Sequence, residues 1–323
     1  MAIIHVDEST PGLPNSGRLS GTNGDLVGIL DIALPLNGWA IEYTTGNARV
    51  YRPGTGNRFR LHVNDDSSIS ADARVAVVRG CENASDATTL TNPFPTVSQL
   101  ADGSANWMKS TQANTTGRLF DIWVGETFVI LAVNTNGATN TWDFNFFGDY
   151  APSLSGHAYN TCCSTRNSST YTLASRFVGL PITSFSTLPS FPQLYGARDY
   201  GGTVNSTIMG VVPLGNSSSF GSLTGTTAPL SGVTTGIDTA KTMLTDFGTS
   251  SGTPDSTKSQ VVAGWLPNLL YPLHSGRGAI NTRDEYTDTA AGMASGKIVT
   301  ASNSATGALA VVQESDDWSP PIG

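Results

Sequence analysis

Polar and apolar residues alternate with a period of two through much of the first half of the chain. Trp39-Ala40-Ile41-Glu42-Tyr43, Arg58-Phe59-Arg60-Leu61-His62-Val63 and Trp142-Asp143-Phe144-Asn145-Phe146 each place alternate residues on opposite sides of an extended backbone. Arg49-Val50-Tyr51-Arg52 follows a Thr-Thr-Gly-Asn turn, and Gly54-Thr55-Gly56-Asn57 has the composition of a hairpin turn. Ala73 to Val78 predicts a further strand, and Phe120 to Val133 predicts two strands around a Gly125-Glu126 turn. A second set is expected at Leu194 to Arg198, Thr207 to Val212, Val261 to Trp265, Lys297 to Thr300 and Leu309 to Val312, with one more strand near Ser175–Gly179. Two segments carry helical signals instead. Thr96–Met108 follows Pro95 and has Ser98 near its start, and Ile237–Phe247 spaces Ile237, Ala240, Met243 and Leu244 at helical intervals.

Many short strands at this spacing predict a mainly β protein with two β-sandwich or barrel-like domains, long loops and very little helix. The expected division is an N-terminal extended arm over 1–37, a β-rich domain over 38–157, a Ser/Thr/Pro-rich connector over 158–193, and a second β-rich domain with a C-terminal tail over 194–323. The polar stretches 215–236 and 248–260 read as long loops. No repeat at the period of a solenoid or propeller is evident.

Composition sharpens this reading. Charged residues make up 13% of the 323 residues, about half the share of an average soluble domain. Ser, Thr and 35 Gly take their place, and lysine is confined to Lys109, Lys241, Lys258 and Lys297. Aromatic residues at 8%, spread along the chain, argue against disorder. A net charge of −8 with no basic stripe argues against a nucleic-acid partner. The arginines at 49, 52, 58, 60, 74 and 79 sit among strand-like segments near Asp65, Asp66 and Asp72, which favours ion pairs within or between subunits. No apolar run approaches the roughly 18 residues of a membrane helix, and no signal peptide is visible, so folding in a cytosol is expected.

Motifs for catalysis are sought without success: neither a P-loop, a Gly-x-Ser-x-Gly elbow nor a His-Glu-x-x-His pair is found. His5, His62, His157 and His274 are far apart in sequence. The adjacent Cys162-Cys163 allows a vicinal disulfide or, with Cys81 and His157, part of a metal site, but two buried thiols in a loop is the preferred reading. Asp65, Asp66, Asp143, Asp149 and Glu126 have no spacing that predicts a glycosidase pair. Asp65-Asp66-Ser67-Ser68 reads best as a turn, with calcium binding by Asn64-Asp65-Asp66 as the lesser alternative. No catalytic, cofactor or metal residue is therefore assigned, and no enzymatic activity is expected.

The strand block does carry a resemblance. Gly38-Trp39, Val50-Tyr51-Arg52-Pro53-Gly54, Arg60-Leu61-His62-Val63-Asn64-Asp65-Asp66, Arg79-Gly80-Cys81-Glu82, Trp107-Met108-Lys109-Ser110 and Phe146-Phe147-Gly148-Asp149 resemble a family of tailed-bacteriophage virion structural proteins. The likeness covers most of 38–150 and extends thinly over 195–312. It implies a non-enzymatic virion component whose partners are copies of itself and other virion proteins. The tail or neck is the first expectation, and a capsid decoration protein or a receptor- or glycan-binding tail-tip protein the alternatives. For the glycan reading, Trp107, Trp142 and Tyr195 are the aromatic residues expected to stack on a sugar.

Overall fold

The computed structural model describes residues 3–70, 72–99, 105–137, 142–153, 157–165, 193–198, 202, 204, 207–213, 239–246, 261–272, 285–288, 293–300 and 309–314. Over these residues the protein is mainly β, as the alternation predicts. Strand β1 (Ile4–Asp7) and helix α1 (Asp25–Ala33) come first. Strands β2 (Ala40–Thr45), β3 (Ala48–Arg52), β4 (Arg60–Asn64), β5 (Val75–Ala84) and β6 (Leu90–Phe94) form an antiparallel meander, and β7 (Asn106–Met108) also pairs with β5, giving a six-stranded sheet.

A second, thirteen-stranded sheet takes most of the remaining chain. It comprises β1, β8 (Phe120–Val124), β9 (Phe128–Asn134), β10 (Trp142–Asp149), β11 (Ala151–Pro152), β12 (Thr161–Thr165), β13 (Gln193–Gly196), β14 (Thr207–Pro213), β15 (Thr239–Asp246), β16 (Val261–Pro272), β17 (Glu285–Asp288), β18 (Met293–Thr300) and β19 (Leu309–Gln313). The path runs β1-β8-β9-β10-β12-β13-β14-β15-β16-β19-β18-β17. It also turns back on itself, because β11, which directly follows β10, pairs with β16 through Ala151↔Trp265 and Pro152↔Gly264. The circuit from β10 through β12–β16 to β11 is thus barrel-like. Gly264 is required at this closure: a Cβ there would lie 2.0 Å from the carbonyl oxygen of Ala151.

Strand β9 shows how the layers stack. Phe128-Val129-Ile130-Leu131-Ala132-Val133 is a continuous apolar run, the pattern of a strand covered on both faces. Val129, Leu131 and Val133 join one core with Leu61, Val63, Ala76, Val78 and Trp107 of the six-stranded sheet. Phe128, Ile130 and Ala132 face the other way, into a second core inside the curled sheet with Phe144, Phe146, Leu194, Met209, Leu244, Leu266 and Val312. At roughly 1.5–3 kcal/mol per buried large apolar side chain, β9 anchors both layers.

Four expectations need correction. Residues 1–37 are not an extended arm. Val6 of β1 is fully buried, and α1 buries Leu26, Val27, Ile29, Leu30 and Ala33, with Leu34 just beyond, in the first core. The apolar spacing over 26–34 is helical, but the Gly- and Pro-rich stretch before it hides the start. Residues 158–193 are not wholly a connector, since β12 lies between β10 and β13 with all five residues buried; 166–192, including the strand expected near Ser175–Gly179, lie outside the described residues. Thr96–Met108 is not a helix: Val97–Gln99 forms one 3-10 turn, and Trp107 and Met108 pair with Ala76 and Val75. Thr239–Asp246 is strand β15, paired on both sides by β14 and β16. Its β-branched Thr239, Thr242 and Thr245 suit a ladder, and pairing overrides the helical spacing of Ala240, Met243 and Leu244. The sheets also divide the chain elsewhere than expected: one spans 40–108, the other 4–7 and 120–313, so the expected boundary at 157/158 falls within the second sheet.

Candidate functional site

Among the described residues, one group of potential metal-ligating side chains converges where the two ends of the described chain meet. β1 and β8 are antiparallel, with His5 opposite Trp123, Val6 opposite Ile122 and Asp7 opposite Asp121. Period two sends Val6 into the first core and puts His5 and Asp7 on the other face, beside Trp123 and Asp121. The His5 ring stacks on Trp123 at 5.2 Å, 20° from parallel. His5 Nε2 lies 2.9 Å from Asp121 Oδ1, and the Asp121 side chain is fully buried. Glu314, just after β19, reaches the same place: Trp123 Nε1–H donates to its Oε1 at 2.9 Å, and that oxygen is 3.8 Å from His5 Nδ1. Asp7 accepts from the backbone N–H of Ser9 at 2.9 Å and from the Ser9 hydroxyl at 2.6 Å. One nitrogen of His5 and one carboxylate oxygen each of Asp7 and Asp121 lie within 4.8 Å of one another. An imidazole among carboxylates can hold a proton or a cation. Ser9 is tied to Asp7, which makes that pair a turn cap rather than a nucleophile beside a base.

The sequence reading did not single out His5, Asp7, Asp121 or Glu314. His5-x-Asp7 and Asp121-x-Trp123 do carry a signal, because alternate residues of a strand share a face. The pairing of β1 with β8, 116 residues away at the His5–Asp121 contact, carries none.

Of the carboxylates named from the sequence, Asp65, Asp66 and Asp149 serve separate contacts. Asp66 makes the expected bond to nearby backbone, accepting from the Ser68 N–H at 2.9 Å, but it does so at the start of a one-turn helix, Ser67–Ser70, rather than in a turn. Asp65 does not: it is fully buried, paired with the equally buried Lys109, and accepts the Leu26 N–H at 2.7 Å at the start of α1. Burial pushes its carboxyl up to about 6, against the opposing pull of Lys109. Asp149 accepts from the Asn57 N–H at 2.8 Å and from the Thr161 hydroxyl, so it ties the β3–β4 turn to the second sheet. Its carboxyl is raised by burial, which the hydrogen bonds from Thr161 and Asn57 partly offset.

Of the six arginines of that block, Arg49, Arg52, Arg60 and Arg74 behave as ion-pair partners within the chain, whereas no ion pair is seen for Arg58 or Arg79 among the described residues. Arg49 meets Asp31 at 3.0 Å, Arg52 and Arg60 both meet Glu42, at 3.2 and 2.9 Å, and Arg74 meets Asp72 at 2.5 Å. Arg198 joins the second sheet to Glu82 of the first at 2.6 Å and sits 3.9 Å from the centre of the Tyr159 ring.

Two further expectations change. Cys162 and Cys163 lie on a strand rather than in a loop, so their side chains point to opposite faces, Cys162 into the second core and Cys163 into the first. All three cysteines are free and buried, and burial raises every thiol, that of Cys81 to about 12. They fill space as small apolar groups. The aromatic residues expected to stack on a sugar are buried strand residues: Trp107 and Tyr195 are 0% exposed and Trp142 is 1% exposed. The indole N–H of Trp107 donates to the Ser164 carbonyl at 2.6 Å. That removes the residue-level basis of the glycan reading. No protein-family model matches the chain, and no curated protein is significantly similar to it.

Proposed function

We propose that this protein is a non-enzymatic structural component of a tailed-phage virion, placed in the tail or neck and working through symmetric contacts with its own copies and with other virion proteins. The resemblance over 38–150 supplies the kind of particle. The observation that carries the assembly role is the outer edge of the six-stranded sheet. β2 is its end strand, and its residues are exposed or half-buried throughout. Ile41 on that strand is 40% exposed, and Leu36 in the turn packed beside it is 50% exposed. An end strand offers a row of backbone donors and acceptors to a further strand, and monomeric β proteins usually guard such edges with lysine or proline. Ala40-Ile41-Glu42-Tyr43-Thr44-Thr45 has neither; its only guards are Glu42, which is drawn onto Arg52 and Arg60, and the register shift between Ile41 and Tyr43. A low lysine content fits the same use, since lysine is depleted at interfaces.

The charged groups point the same way. The ion pairs of Asp65 with Lys109, Asp31 with Arg49 and Glu82 with Arg198 each join separate elements of the fold, which is a scaffold's use of charge. The test is composition of the particle. Purified virions of the encoding phage are expected to contain a 33.7 kDa chain. A tail or neck ring gives on the order of 3–12 copies by closed symmetry. Hundreds of copies would reassign the protein to capsid decoration, and absence from the particle would refute the proposal.

A further inference from the structure

We propose that His5, Asp7 and Asp121 form a binding site for one divalent transition-series cation of the zinc or manganese class, with Glu314 as the outer carboxylate that orients the imidazole. This inference is independent of the virion reading.

Three features carry it. The first is convergence. One donor atom from each of the three residues lies within 4.8 Å of the others. Ligands bound at about 2.0–2.2 Å to one ion sit about 3–4 Å apart, so closure around a cation shortens these separations by at most about 1–2 Å. The backbone enforces this convergence: His5 and Asp7 share a face of β1, and Asp121 is the cross-strand partner of Asp7.

The second feature lies outside the ligand set. Metal-bound histidines generally give their other ring nitrogen to a carboxylate that fixes tautomer and orientation. Here Nε2 is 2.9 Å from Asp121 Oδ1, while Nδ1 lies 3.8 Å from Glu314 Oε1, beyond a direct hydrogen bond but close enough for one to form on a small shift, and that oxygen is itself held by the Trp123 indole N–H at 2.9 Å. The ring also lies flat on Trp123. The imidazole is therefore oriented by Asp121 and by the Trp123 ring before any ion arrives. A metal-bound imidazole cannot keep a proton on the ligating nitrogen, so on binding the cation takes the position between Nε2 and Asp121 Oδ1.

The third feature is access together with ligand type. The Asp121 side chain is fully buried, while those of His5 and Glu314 are 23% and 25% exposed, so the site has a floor and an open side. One imidazole with two carboxylates suits zinc, manganese, cobalt or ferrous ions better than calcium, which prefers oxygen alone, or cuprous ion, which prefers sulfur. Three protein ligands leave the remaining positions to water. The bound ion would fasten β1 to β8 and bring the segment after β19 against both, locking the two ends of the described chain together.

The experiment uses the full chain after dialysis against a chelator. Titration calorimetry with zinc chloride is expected to show one saturable site per chain, with a rise in Tm on addition of the ion. Cobalt(II) substitution is expected to give visible d–d bands of nitrogen–oxygen coordination without a thiolate charge-transfer band, which separates this site from the cysteines. His5→Gln and Asp7→Asn lie at partly exposed positions and should fold. Each is expected to weaken zinc binding by about 100-fold or more, and Glu314→Gln by about 10- to 100-fold. Absence of saturable binding in the parent protein would overturn the proposal, as would binding unchanged in both His5→Gln and Asp7→Asn, or a cobalt spectrum dominated by thiolate.

Discussion

Removing either member of the buried Asp65–Lys109 pair should cost far more than removing both. The two side chains are fully buried and touch. Asp65 follows β4, accepts the Leu26 N–H of α1 through Oδ2, and has its own carbonyl bonded by the Gly24 N–H at 3.0 Å. Lys109 follows β7 and also donates to the Thr22 carbonyl. The pair therefore fastens the start of α1 to two points of the six-stranded sheet. Asp65→Asn keeps the shape and strands a buried ammonium, at about 3–5 kcal/mol. Lys109→Met strands a buried carboxylate at the same order of cost, softened because that carboxyl can take up a proton. The double variant buries no charge. It loses mainly the charge-assisted bond to the helix N-terminus, about 1–2 kcal/mol. The double-mutant cycle is thus expected to show at least about 3 kcal/mol of coupling. In urea, with a slope of about 3 kcal/mol/M for a chain of this size, each single variant moves the midpoint down by about 1 M, and the double variant recovers most of that shift. Single variants within about 1 kcal/mol of the parent, with additive effects, would refute the account of this pair.

Three other outcomes follow from the packing. His62 is lowered to about 4, first by burial, partly offset by its bond to the Ala87 carbonyl, and further by Arg79. It is held neutral in the fold, so stability is intact above pH 6.5 and falls by about 3 kcal/mol in all as pH drops through 4; His62→Gln should flatten that acid limb in urea titrations at pH 7 and pH 4. Cys81, Cys162 and Cys163 should resist a thiol-specific disulfide reagent in the native protein, with all three reacting in denaturant; fast native labelling would contradict their burial. Gly264→Ala should destabilise by about 1–3 kcal/mol through the clash at the β11–β16 closure, read as a lowered Tm.

The parts legible in the sequence are those where local pattern and tertiary pairing agree. The Phe120–Val133 run reads correctly as two strands about Gly125-Glu126, and β3, β4, β10, β14 and β19 fall where period two or an apolar run puts them. The failures share a cause. β15 looks helical until strands flank it on both sides, and Trp107-Met108 looks like a helix end until β5 is there to pair with. α1 is hidden by the Gly- and Pro-rich segment before it, although Leu26, Leu30, Ala33 and Leu34 have helical spacing. Asp65 and Asp66 are adjacent, yet Asp66 accepts a local N–H at the start of a one-turn helix and Asp65 makes an interior ion pair, a difference set by Lys109 arriving from 44 residues away. The cluster of His5, Asp7, Asp121 and Glu314 is the extreme case: the Trp123–Glu314 bond spans 191 residues. Nothing local announces contacts of that length.

A cryo-EM reconstruction of purified particles tests the central claim most directly. The account predicts density for a six-stranded sheet packed on a larger curled sheet, repeated about a tail or neck axis, with β2 or its neighbouring turn at a subunit contact. Particles whose every protein density is accounted for without this fold would contradict it.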